Sequence, residues 1–167
     1  MHAARLHDEV IDAALSCAAT LLGMEVVFIG GIDDATFRFE RVSGDWPGIV
    51  EGGEIEFSAT FCRRMLDGAP PSTADAAIDP AYVDTPGRTK FRVTSYVGVP
   101  IHDFTGHVIG TLCGIDHDEY HTWLDAHVRA RGVPPASVAR TYGRFVRALV
   151  AEAWAHRPSS PPYTLAP

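Results

Sequence analysis

SYVGVPIHDFTGHVIGTLCGID, residues Ser95 to Asp116, reads as two apolar strands joined by a tight turn. Ser95 to Ile101 and Val108 to Ile115 are built from Tyr, Val, Ile, Thr, Leu and Cys, side chains that suit a pleated and largely buried surface. The link His102-Asp103-Phe104-Thr105-Gly106 has turn chemistry: the Asp carboxylate can bond its own backbone, and Gly takes a positive φ without strain. Gly98, Gly110 and Gly114 fall inside the strands, where glycine weakens pairing. Close approach of another backbone, a bulge, or room for a ligand compensates for such a position. A hairpin this apolar belongs in the middle of a sheet.

Upstream, Ala3 to Leu22 has helical periodicity, with Leu6, Val10, Ala14, Cys17 and Leu21 at three- and four-residue steps and Ile11, Leu15, Ala18 and Leu22 widening the stripe. Gly23 ends it. Met24 to Gly30 predicts a strand, Gly31 to Asp34 a turn, and Ala35 to Val42 a second strand. In that second strand Phe37, Phe39 and Arg41 alternate with polar neighbours, so one face packs. Ser43 to Gly53 is a loop whose Trp46 is either a core plug or a pocket wall. Glu56 to Leu66 predicts a helix with Phe57, Phe61, Met65 and Leu66 on one side, Ser58 near its start and Gly68 as its stop. After Pro70-Pro71 a short extended piece, Ser72 to Ala74, leads into Asp75 to Lys90. That segment is rich in Asp, Pro and Gly and has the character of a cover over a site. Downstream of the hairpin, helices are predicted over Tyr120 to Arg131 and Ala136 to Trp154, then a disordered Pro- and Ser-rich tail over 157–167.

The hairpin string resembles the closing hairpin of a GAF domain, a small-molecule sensor module of signalling proteins. "FSATFCRRMLDG" (Phe57 to Gly68) and "ADAAIDPAYVD" (Ala74 to Asp84) fall where that family has a short helix, a strand and a pocket-covering segment. The resemblance implies an α+β, PAS-related fold: a six-stranded antiparallel sheet, helices from both termini on one face, and a ligand pocket on the other. It makes residues 1–156 a single domain with a core of about 14–117. It also implies a dimer through the terminal helices, whose broad apolar stripes leave surface for a twin subunit.

At 167 residues the chain is one domain in size. No apolar run reaches the roughly 20 residues of a membrane span, and MHAARLHDEV lacks the order of a signal peptide, so the expected location is the cytoplasm without a membrane partner. A net charge of −7 with scattered Lys and Arg argues against a nucleic-acid partner. Cys17, Cys62 and Cys113 are too widely spaced for a disulfide framework or zinc site, and their apolar neighbourhoods predict buried, reduced thiols. Cys62 stands out, since the adjacent Arg63 and Arg64 would lower a thiol pKa. His117 and His121 have a metal-ligand spacing, but in a segment that begins as a turn they read as a solvated helix start. His102 and His107 flank the hairpin turn and need no chemical task.

No Gly-rich phosphate loop or nucleophile elbow is present. The family's reductase for free methionine sulfoxide keeps its key thiols just before the last hairpin, and the matching segment here, Thr85 to Thr94, contains no Cys. The attachment Cys and pocket motif of bilin-binding members are not evident, nor is the Asn-Lys-Phe-Asp-Glu set of cyclic-nucleotide members. Haem ligation by a pocket His stays open, and no cofactor is named. The expectation is a non-catalytic sensor that binds an unidentified small molecule and passes a conformational change to a separate signalling protein. Phe61, Tyr82, Phe91 and Tyr96 would supply apolar contact, with Cys62 beside them and Ser95 and Asp75 orienting the ligand. The alternatives are a redox enzyme or thiol sensor of the methionine sulfoxide reductase type using Cys62, and a pure interaction scaffold.

Overall fold

The computed structural model describes residues 2–103 and 105–118 and, within the first helix, the side chains from Asp8 to Thr20 and of Leu22. The helices expected over 120–131 and 136–154, His121 and the tail lie outside the described residues.

Six strands form one antiparallel sheet: β1 (Val26–Asp33), β2 (Thr36–Ser43), β3 (Glu54–Glu56), β4 (Ser72–Thr73), β5 (Ser95–His102) and β6 (Val108–Asp116), in spatial order β3-β2-β1-β6-β5-β4. The apolar hairpin β5–β6 therefore places β6 at the centre beside β1. Its turn is organised by Asp103, whose Oδ1 accepts from the backbone N–H groups of Thr105 and His107 and from the Thr105 hydroxyl. These bonds, the Thr105 hydroxyl first, hold the Asp103 carboxyl below the usual range. Gly106 takes φ +90°. His107 bonds Thr105 within the turn, and His102 pairs across the ladder with Val108, so the two imidazoles are not partners.

The two faces of the sheet carry separate cores. On one lies α1 (His2–Leu22), which packs Ile11, Ala14, Leu15 and Ala18 against Val27, Ile29, Ile101 and Leu112. On the other lie the aromatic side chains of β1, β2 and β5. The alternation of side chains along β1 sorts them: Val26 and Phe28 to the aromatic face, Val27 and Ile29 to the helix. A face-wide stripe on α1 was expected, but Val10 and Cys17 lie outside the contact and are exposed, because the helix meets the sheet through the 11-14-15-18 edge. Cys17 thus departs from the expected burial of all three thiols.

Three boundaries differ from the sequence reading. β1 runs on through Gly31, Ile32 and Asp33, and the turn is Asp34-Ala35, with Asp34 at φ 51°. Ile32 is buried in the aromatic core, and that burial together with pairing to Phe37 extends the strand. In β2 the register slips, so Ile29 pairs with Arg41 and Gly30 with Phe39. Glu40 is the extra residue, and it turns Arg41 to the opposite face from Phe37 and Phe39. Arg41 there pairs with Asp8 at 2.7 Å and Asp12 at 3.4 Å, fastening α1 to the sheet. The helix expected from Glu56 is instead β3, a 3-10 turn over Phe57–Ala59, and α2 (Phe61–Leu66). Pairing of Thr36 with Glu56 and Phe37 with Ile55 claims the first residues for the sheet, and Thr60 rather than Ser58 caps the helix.

The intra-strand glycines give room to neighbours and not to a ligand. A side chain at Gly98 would meet the Tyr96 hydroxyl, one at Gly110 the backbone carbonyl of Gly30, and one at Gly114 the Met24 sulfur.

Candidate ligand cavity and thiol pair

A cavity of about 30 Å³ lies between the aromatic face of the sheet and the segments that cross it. Volume on that scale holds a water-sized molecule or two. Phe28, Phe37 and Phe39 form its floor, packed edge to face with ring centroids 5.1 to 6.3 Å apart. Such contacts orient the rings as well as burying them.

The roof comes from two short helices. α2 begins at Thr60, whose Oγ1 accepts from the Arg63 N–H at 3.0 Å, and it turns Phe61, Cys62 and Met65 inward. Phe61 stacks on Tyr96 at 5.0 Å and Tyr82 at 5.3 Å. α3 (Pro86–Phe91) starts with Pro at its first turn, ends at Arg92 with φ 57°, and delivers Phe91 to the cavity wall. Trp46 is the core plug of the two alternatives: it is buried, lies off the cavity wall, and its indole N–H donates to the Phe91 carbonyl at 2.9 Å. Its ring stacks on His117 at 3.8 Å, and His117 in turn bonds Glu25 at 2.8 Å. His117 thus has structural partners where a metal-ligand spacing had drawn notice. Among the described residues no group of three His, Cys, Asp or Glu could hold a metal ion.

Of the residues expected at the site, Phe61, Cys62, Phe91 and Tyr96 line the cavity. Tyr82, Ser95 and Asp75 do not. Tyr82 is buried, stacked on Phe61, and donates its hydroxyl to the Pro70 carbonyl, which ties the middle of the cover to the chain just before it. Burial, then the nearby Asp79 carboxylate, pushes the Tyr82 phenol up, so it remains a donor. Ser95 Oγ donates to the Asp118 carbonyl at 2.9 Å, and Asp75 Oδ1 accepts from the Ala77 N–H at 2.8 Å to open the cover with a local turn. Thr60, Ile55 and Ile115 are wall residues that the sequence reading missed. The alternation of Phe37 and Phe39 was the signal for that face, but which loop residues meet it depends on the crossing of α2 and β3.

Cys62 on α2 and Cys113 on β6 meet with their sulfurs 3.0 Å apart, both buried. The Thr111 hydroxyl donates to Cys62 Sγ at 3.4 Å, and the Tyr96 hydroxyl lies 3.6 Å from Cys113 Sγ. For Cys62, burial opposes the thiolate, but hydrogen bonds from Cys113, Thr111 and Tyr96 outweigh it and set the thiol below its ordinary value. For Cys113, burial and the neighbouring Cys62 push the thiol up. The arginines expected to activate Cys62 are engaged elsewhere: Arg63 with Asp67 at 2.7 Å, Arg64 with Asp84 at 2.9 Å.

Thr85, at the start of α3, buries an Oγ1 with no hydrogen-bond partner among the described residues. Such a group costs about 1–3 kcal/mol. Thr85→Val, which keeps the shape and removes the hydroxyl, is expected to raise stability by a similar amount, seen as a higher urea midpoint at constant m value. A lowered midpoint would show that the hydroxyl is satisfied.

An antiparallel six-stranded sheet with a helix on one face and a roofed aromatic cavity on the other is the architecture that the hairpin motif implied, and the GAF domain family model matches residues 7–130. The chain belongs to the GAF domain family. Solved GAF structures share the fold. The phycoerythrobilin-bound GAF domain of a cyanobacterial phytochrome is 17% identical, with 91% of this chain and 88% of that chain covered at a TM-score of 0.60. The GAF domain of an Acinetobacter phosphoenolpyruvate-protein phosphotransferase is 13% identical, covering 93% and 92% at 0.60. The type II free methionine-R-sulfoxide reductase of Thermoplasma acidophilum is 16% identical, covering 86% and 95% at 0.52. No curated protein matches the chain by sequence. The solved structures of similar fold thus include a chromophore-bound domain and an enzyme, and the fold alone does not choose between them.

Proposed function

We propose that this GAF domain is a non-catalytic sensor whose ligand is a small, uncharged, apolar molecule held between the aromatic face and the cover. The observation that carries the reading is the cavity wall. It is built of Phe, Ile and Val with Gly87, Thr60, Cys62 and Tyr96, and among the described residues no charged side chain is on it. A nucleotide or other anion would leave its charge without donors there, a large desolvation penalty. A tetrapyrrole needs a pocket of several hundred Å³, on the usual scale of roughly 300–1,000 Å³ for ligand sites. Ligand entry beyond water size requires the Asp75–Phe91 segment to move outward. Among the described residues the contacts that would have to yield include the Tyr82 bond to Pro70 and its stack on Phe61, the Arg64–Asp84 pair, the Ala76 bond to Thr94 and the Trp46 bond to Phe91. A ligand that binds the opened form better shifts the population toward it.

The sensor reading includes a cytoplasmic homodimer that reports to a separate signalling protein. The exposed Val10 and Cys17, two turns apart on one face of α1, support a self-contact on the outer side of that helix. The competing scaffold reading draws on the small cavity volume.

Indole and toluene serve as probes. Both are expected to raise Tm with concentration, as RT ln(1 + [L]/Kd) requires, by about 2.7 kcal/mol at a hundredfold excess over Kd. Ile55→Trp, which fills the cavity from its β3 edge, should abolish the shift. Stabilisation by charged nucleotides but not by either probe would sink the proposal, and no response to any of them favours the scaffold. Native mass spectrometry of the same sample is expected to find two chains per particle.

A further inference from the structure

We infer that Cys62 and Cys113 form a hydroperoxide-responsive dithiol, in which Cys62 is attacked first through the cavity and Cys113 closes the disulfide. The inference goes beyond the ligand-binding reading and does not depend on it. Three observations converge. The two sulfurs are 3.0 Å apart, so a disulfide at about 2.05 Å needs a movement of only about 1 Å. Only one of the pair is on the cavity wall: Cys62 lines it and Cys113 lies behind. The cavity, at about 30 Å³, has room by volume for hydrogen peroxide, with Thr60, Cys62 and Tyr96 on its wall as polar partners, and none for a bulky disulfide such as glutathione disulfide.

The surrounding polarity fits the same order of events. Thr111 donates to Cys62 Sγ, and the Tyr96 phenol, kept protonated by its burial and the nearby thiols, stands beside Cys113. The hydrogen bonds that favour the Cys62 thiolate make it the better nucleophile, while Cys113 stays a thiol until it is needed. The chemistry balances with the peroxide as the sole oxidant. Cys62 Sγ attacks one peroxide oxygen, the O–O bond breaks, and the other oxygen, with its own hydrogen, leaves as water after taking the proton given up by the Cys62 thiol, so that Cys62 becomes the sulfenic acid. Cys113 Sγ then attacks Cys62 Sγ, the S–O bond breaks, and the hydroxyl leaves with the Cys113 proton as a second water. Two thiols lose two electrons and one peroxide becomes two waters.

The bond would join α2 to the central strand across the stretch that carries the cover, since residues 67–94 lie within the closed loop. Oxidation would therefore set how far the roof can lift. The thiols that the methionine sulfoxide reductase resemblance pointed to, in Thr85 to Thr94, are absent. The pair here uses different elements.

The test treats the reduced full-length chain with hydrogen peroxide, quenches it, and maps the cysteines by mass spectrometry. The expected product is a chain lighter by two hydrogens with the Cys62 and Cys113 peptides linked, formed at least about tenfold faster in the folded chain than in urea. In Cys113→Ser, dimedone should trap a sulfenic acid on Cys62; in Cys62→Ser, Cys113 should stay unmodified. Oxidation confined to the exposed Cys17, or linkage no faster in the folded than in the unfolded wild-type chain, overturns the inference even if neither variant folds. A negative result leaves the indole and toluene Tm shifts untouched, and their failure leaves this test intact.

Discussion

Trp46→Ala is expected to lower folding stability by about 3–5 kcal/mol, the range for removing a large aromatic from a core. Trp46 is 2% exposed, so nearly the whole ring leaves a void when it is truncated. The indole also has a polar task, as the N–H donor to the Phe91 carbonyl at the end of α3. Trp46→Phe separates the two contributions. It keeps most of the apolar volume and leaves the carbonyl without its donor, for an expected loss of about 1–3 kcal/mol. Both numbers come from urea unfolding followed by circular dichroism, which does not depend on the lost fluorophore. Set against a typical total of about 5–15 kcal/mol, the alanine variant is close to unfolding. Because Phe91 is a cavity wall residue, Trp46→Phe should also weaken the Tm response to indole. A Trp46→Ala midpoint within about 1 kcal/mol of wild type, below the spread seen for buried aromatics, would mean that the loop is not a structural support.

Gly110→Ala is the second large effect, expected at the upper end of the roughly 1–3 kcal/mol seen for overpacked interiors, or beyond it. The added methyl meets the Gly30 carbonyl of β1, and Gly30 itself sits where the β1–β2 register slips. Backbone in the two central strands cannot turn aside as a side chain can. Gly98→Ala should be milder, because the obstacle is the end of the Tyr96 side chain, although that ring is buried. Gly114→Ala should be mildest, because the Met24 thioether is flexible and can withdraw. The ranking itself is the test. Gly114→Ala as damaging as Gly110→Ala would show that the hairpin, and not the obstacle, sets the cost.

Much of this molecule was legible one strand at a time. Alternation in β2 separated Phe37 and Phe39 from the wet face, and the Asp103–Gly106 turn follows from local chemistry that needs no distant partner. Long-range pairing was not legible. Glu54 to Glu56 look like the start of a helix, and only the neighbouring β2 edge makes them a strand. Arg41 sits in phase with two phenylalanines, yet one extra residue in the ladder sends it to the helix side. Tyr82 was expected at a ligand and became a clamp, because Phe61 and Tyr96 take up its ring before the cavity does.

The sequence by itself determined the central hairpin and the amphipathic first helix, because each depends on periodicity and turn chemistry within a few neighbouring residues, and the motif it carries resembled the family that the chain belongs to. Only the tertiary structure decided that Cys62 and Cys113, 51 positions apart, share a contact, that Trp46 supports the roof without lining the cavity, and that the described residues put no charge on the cavity wall. Those facts arise where α2, α3 and the sheet cross. The relative placement of separate elements comes from packing, which no local pattern encodes.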